Sequence, residues 1–188
     1  MRRTIAVLVL LLGAATVAGA VVCPAPLALM IRSAQRIVVL RIDQLTIETD
    51  EGQPFTLATA AVSETLKGPH ETPLRLRLPG GRVGGFVMVV PGAPTLRAGD
   101  EYLAFLAPDD NPRFAEPAWR SFNLGEGLFA LIRKSGRTWA VQATGDAPQR
   151  FAACTAAADQ CAAQAGAMVE ELSVLKARIR EVLAPGPS

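Results

Sequence analysis

One histidine in 188 residues is the most restrictive shortage in this sequence. A zinc site built on imidazoles needs more than one, and a Ser-His-Asp triad needs its histidine held beside a nucleophile. His70 instead sits in a Gly-Pro-rich stretch, residues 67–73, and reads as a solvated loop residue. No G-x-S-x-G run marks a nucleophile elbow. Asp109-Asp110-Asn111 lacks both the alternating oxygen ligands and the distal glutamate of an EF-hand, so it reads as a solvated acidic loop. Aromatic residues are 5% of the chain and fall mostly inside apolar strands. They do not alternate with basic residues as single-strand nucleic-acid binders require. These shortages leave no catalytic constellation, no metal site and no cofactor motif, and they argue against nucleic acid as a partner.

Glycine, by contrast, is concentrated in Pro79-Gly-Gly-Arg-Val-Gly-Gly85. Gly80 and Gly85 have the spacing of a phosphate-cradling loop. That loop needs Lys and Ser or Thr next, to reach phosphate and magnesium, and then a helix. Phe86 and Val87 stand there, and Phe86-Val-Met-Val-Val90 has the composition of a strand. The glycines are therefore predicted to form a loop between two antiparallel strands, supplying positive φ.

Long apolar runs are confined to the start. Met1-Arg2-Arg3-Thr4, a nearly unbroken apolar segment over residues 5–17, and Ala18-Gly19-Ala20 have the grammar of a cleaved signal peptide over residues 1–20. The segment is too short for a comfortable membrane span of ~20 residues, so no integral span is expected after cleavage. Export to the periplasm or the exterior is the expectation. Without Arg2 and Arg3 the 19 basic residues become 17, equal to the 17 acidic ones. A neutral chain has no general attraction for nucleic acid or anionic lipid.

The three cysteines are Cys23, Cys154 and Cys161. In an oxidising compartment one disulfide with one cysteine left over is expected. Seven residues of continuous helix rise ~10.5 Å, beyond the ~7 Å that a disulfide spans between Cα atoms. Either Cys154 and Cys161 flank a loop or a helix break, or one of them reaches Cys23; the local pair is favoured. Cys23 also stands where a lipoprotein cysteine would, although such signals want a small residue before it and Val22 is not one.

From residue 21 to about 150 the pattern is that of strands. Val38, Leu40 and Ile42 share one parity and Leu45 and Ile47 the other, which predicts a β-bulge. Phe55 and Leu57, then Ala60 and Val62, repeat the switch. Leu74-Arg-Leu-Arg-Leu78 alternates cleanly, so Arg75 and Arg77 are expected to face water, where they could meet an anionic partner. Residues 101–107 read as a buried strand, and Ser135-Gly136 as a hairpin turn. From about residue 151 to 184 the character turns helical. Met168, Leu172, Leu175, Ile179 and Val182 recur at helical spacing, and residues 185–188 form a Pro-Gly tail. The expected class is mainly β with helices: a small antiparallel OB-like β-barrel over residues 21–150 with a C-terminal amphipathic helix packed on it.

Several stretches support a resemblance. They are Cys23, Ser33-Ala-Gln-Arg-Ile-Val-Val39, Leu66-Lys-Gly68, Leu78-Pro-Gly-Gly81, Val90-Pro-Gly-Ala-Pro94, Ala98-Gly-Asp-Glu-Tyr-Leu-Ala-Phe-Leu106 and Gly125-Glu-Gly127 with Phe129. Together with the final helix, this order resembles a group of exported bacterial proteins. It is also similar to the netrin-module and tissue-inhibitor-of-metalloproteinases fold, an OB-type barrel with flanking helices. The resemblance rests on turn and core residues, so it implies fold more than function. In the inhibitor family a first-residue cysteine chelates the target protease's zinc through its amino group and carbonyl. Cys23 would match that role only as the mature N-terminus; cleavage after Ala20 leaves Val21 and Val22 in front of it.

The function expected from these features is an exported, non-enzymatic binding module with a protein partner. Inhibition of an exported metalloprotease through the segment around Cys23 is the alternative, and a lipid-anchored envelope protein is a further one. An enzyme using Asp100, Glu101 or Glu126 ranks last, because their spacing implies no pairing.

Overall fold

The β-branched run after residue 36 forms a long strand, as its composition dictates. The computed structural model describes residues 25–114 and 116–184; the predicted signal peptide, Cys23 and the tail lie outside these. Helix α1 (Leu27–Ser33) leads into β1 (Arg36–Asp50), which turns through Glu51 and Gly52 into β2 (Gln53–Lys67). β3 (Leu74–Pro79), β4 (Gly81–Val83) and β5 (Phe86–Met88) follow, then β6 (Glu101–Asp109) and β7 (Ala118–Ser121). A 3-10 turn, Leu124–Gly127, precedes β8 (Leu128–Lys134) and β9 (Arg137–Gln142), which are joined through Ser135 and Gly136. The chain ends with α2 (Ala147–Ala153), α3 (Ala158–Ala165), β10 (Val169–Glu171) and α4 (Leu172–Leu183). The protein is thus mainly β with helices. The expected C-terminal helical segment begins a few residues early, and β10 interrupts it.

Eight strands form one sheet in the order β1-β2-β3-β7-β6-β8-β9-β10, and β1 also pairs with β6. The pairings between these strands are antiparallel except for β3 and β7, which meet in parallel at Leu76 and Trp119; Phe55 and Gly80 add an isolated parallel bridge. The predicted bulge is present: the β1–β2 register shifts between Ile42 and Gln44. The shift keeps Leu45 on the core side with Leu40 and Ile42. β2 differs from its prediction. Ala58, Ala60 and Val62 keep one parity into the core, while Phe55 packs edge-on against Phe114, 5.1 Å between ring centroids. Both strands carry irregularities, as the sequence divided them, but those of β2 fall later than expected: the register skips Asp43 in β1 and Ser63 and Leu66 in β2.

β1 beyond Ile42 is largely exposed, whereas its start, Arg36–Leu40, and most of β6 are buried on both faces, which fits their apolar runs. Their even-numbered residues, including Leu40, Ile42, Tyr102 and Leu106, join Leu74, Leu76 and Leu78 in one cluster. Their odd-numbered residues, including Ile37, Leu103 and Phe105, meet α1 and α4 through Met30, Ile31, Leu175 and Ile179. Val141, Phe151, Cys161 and Ala165 form a third cluster under α2 and α3. Gly125 sits where three backbone stretches converge: a Cβ there would lie 2.3 Å from the Ala143 carbonyl oxygen and 2.6 Å from that of Gly92. That close approach accounts for the first glycine of Gly125-Glu-Gly127.

Candidate interaction surface

β4 and β5 form a separate two-stranded hairpin, with Gly81 opposite Met88, Arg82 opposite Val87 and Val83 opposite Phe86. The expected loop between antiparallel strands 74–78 and 86–90 is replaced by this hairpin: Gly81–Val83 is itself a strand and pairs with β5, while β3 pairs with β2 and β7. The hairpin turn is only Gly84-Gly85, because β4 starts inside the glycine-rich stretch, and β5 stops at Met88 short of Val89 and Val90. The base is fastened to the β1–β2 end: the Gly80 N–H donates to the Pro54 carbonyl at 2.9 Å, and the Thr56 hydroxyl donates to the Gly80 carbonyl at 2.8 Å. The rest projects outward with apolar side chains. Phe86 is 58% exposed and Val89 80%, and Val83, Val87 and nearby Ile47 are exposed too. Single exposed apolar residues are ordinary; a run of them along one hairpin makes it the candidate surface.

Arg75 and Arg77 depart from expectation. Neither is a free cation facing water. Arg77 is only 4% exposed. Its Nε donates to Glu48 at 2.8 Å, its Nη1 to Asp109 at 2.6 Å and its Nη2 to the Glu116 carbonyl at 3.3 Å. The guanidinium carbon lies 3.7 Å from the centroid of the Phe114 ring. Burial alone would lower the Arg77 pKa; the bonds to Asp109 and Glu48 outweigh it and raise it. Arg75 is partly exposed and pairs with Glu116. The residues after β6 fold back over this face of β3. The strand alternation said which residues share the face, not that a later segment would cover it. Asp109, read as part of a solvated acidic loop, is one of the covering partners.

Cys154 and Cys161 form a disulfide, their Cα atoms 5.7 Å apart. Cys154 caps α2 and Cys161 lies in α3, so the helix break that the favoured local pair needs is present. The bridge fits an oxidising compartment. Among the described residues no helix is long and apolar enough to cross a membrane.

Asp100, Glu101 and Glu126 go to different partners. Asp100 accepts from the Tyr102 hydroxyl at 3.3 Å, and Glu101 pairs with Arg133 at 3.3 Å. Glu126 is buried and accepts the Ala25 N–H at 3.2 Å. Glu126 also lines a mostly apolar cleft of about 630 Å³ with Ala25, Leu124, Gln142 and Met168. His70 is exposed in its loop, its Nδ1 3.0 Å from the Thr65 hydroxyl. Sequence reasoning missed the buried role of Glu126; the only signal was its place between two glycines.

No family model, curated protein or solved structure matches this chain. The functional reading therefore rests on its own residues.

Proposed function

We propose that the protein is an exported, non-enzymatic binding module on an OB-like barrel, and that it meets a protein partner through the hairpin of β4 and β5. The barrel reading is supported by the circuit of pairings β1–β2–β3–β7–β6–β1 with its single parallel contact. The run of exposed apolar side chains from Val83 to Val89 carries the binding reading. Burying such surface contributes roughly 25 cal/mol per Å², and anchors of this kind commonly dominate an interface. The test is a photo-crosslinking residue at Phe86 in the native exported fraction, with Arg137 as a control position. The expected result is one discrete adduct from the hairpin, lost on Val83→Asp plus Val87→Asp at unchanged thermal midpoint. Equal labelling from both positions would sink the reading.

A second reading has one observation behind it. Ala25, two residues after Cys23, is held at the cleft edge by Glu126. A chain beginning at Cys23 would then present its terminus from a fixed point, as a metalloprotease inhibitor requires. Protein processed to Cys23 that leaves every co-exported zinc protease active removes this reading. An acyl group on Cys23 would assign a lipid anchor instead.

A further inference from the structure

Arg36 is the largest wholly buried side chain among the described residues. Its position is built in: a Cβ at Gly68 would lie 2.9 Å from the Arg36 Cγ and 2.7 Å from the Gln35 carbonyl oxygen. Yet its donors are poorly served. Nη2 donates to the Glu71 carbonyl at 3.2 Å, while Nε and Nη1 have no hydrogen-bond partner. The Glu71 carboxylate stands 3.5 Å from Nη1, longer than a good charged hydrogen bond, on a side chain 65% exposed. The contrast with Arg77, on the same sheet and fully partnered, is direct. A buried, half-satisfied cation is costly unless something completes it.

Arg36 lines a cleft of about 370 Å³. Trp119 forms one wall, its ring centroid 4.9 Å from the guanidinium carbon. Pro73 and Pro117 add apolar surface, and Arg75 and Glu71 also line it. The cleft shares no lining residue with the one at Glu126. Its chemistry is one buried, half-satisfied cation, a second cation, Arg75, already paired with Glu116, the movable Glu71 carboxylate and a flat apolar wall. We propose that it binds an organic carboxylate with a planar apolar body. The carboxylate takes the Arg36 Nη1 and displaces the Glu71 side chain, which occupies the place as a tethered substitute. The body lies against Trp119 and the prolines.

The test is a titration of the full processed protein with benzoate, acetate, inorganic phosphate and chloride at constant ionic strength. The readouts are the Trp119 indole and Arg36 Nε–H signals by NMR. The expected result is a saturable shift with benzoate, weaker with acetate and absent with chloride. Replacing a buried arginine risks unfolding, so the decisive variant is Glu71→Gln at the surface. Removing an exposed ion-pair competitor should tighten benzoate about two- to fivefold. Arg36→Met, where it folds, should abolish the shift. The proposal is overturned by shifts that never saturate or are matched by chloride, by saturation with phosphate but not benzoate, or by unchanged benzoate affinity in Glu71→Gln.

Discussion

At the scale of single residues, two neighbouring arginines separate burial from exposure. Arg77→Met strips a buried cation from Glu48 and Asp109 and should cost about 3–5 kcal/mol. Arg75→Met breaks a partly exposed pair with Glu116 and should cost less than about 1 kcal/mol. Urea unfolding of both variants checks the ranking; equal losses would mean that Arg77 is solvated. Tyr102, the one tyrosine of the chain, gives a pH prediction. Burial, then the Asp100 charge and hydrogen bond, raise its pKa above the usual range. The folded state therefore holds the phenolic proton after the unfolded chain, with its pKa of about 10, has released it. Stability from this group is complete below about pH 10 and falls as pH rises above it. Tyrosinate absorbance should appear only together with unfolding, and Tyr102→Phe should flatten the alkaline loss of stability. The reading of residues 101–107 as a buried strand made Tyr102 legible as a buried residue. The alternation of residues 74–78 made Arg77 look solvated, because its carboxylate partners lie 29 and 32 residues away in the chain.

Elements depend on one another in a way their own patterns do not state. Leu175 and Ile179 on α4 are wholly buried against β1, β6 and α1, whereas Val182, of the same helical stripe, is exposed. Leu175→Ala or Ile179→Ala should cost about 2–5 kcal/mol, and Val182→Ala should stay within about 0.5 kcal/mol. Thermal unfolding of the three variants distinguishes a seam of two residues from the full stripe. The Cys154–Cys161 bridge closes a short loop between α2 and α3. Its removal by paired replacement with serine should cost about 2.5 kcal/mol on the chain-entropy account. The thermal midpoint should fall by roughly 5–10 °C. Local spacing required a loop or helix break only if Cys154 and Cys161 pair with each other, and it left Cys23 open as a partner. It was not enough to exclude β10, whose three residues are held as a strand by pairing with Trp139, Ala140 and Val141.

For the whole molecule, intact mass of the chain from its native exported fraction, before and after alkylation, is the informative measurement. The expected species begins at Val21, carries one disulfide and leaves Cys23 as a free thiol. A chain beginning at Cys23 without added acyl mass would turn attention to protease inhibition. What sequence alone determined is local. The β-branched runs, the Ser135-Gly136 turn, the bulge after Ile42 and the mismatch of the glycine stretch to a phosphate loop all follow from neighbours a few residues apart. Tertiary structure alone decided what covers each face. It laid β7 parallel to β3, returned Asp109, Phe114 and Glu116 over Arg77, buried Arg36 beneath Gly68, and left Phe86 and its neighbours bare. The physical reason is that period-two and period-3.6 patterns record which side chains share a face. Whether that face meets solvent, a carboxylate or another strand is settled by contacts between segments far apart in the chain, and no local pattern encodes them.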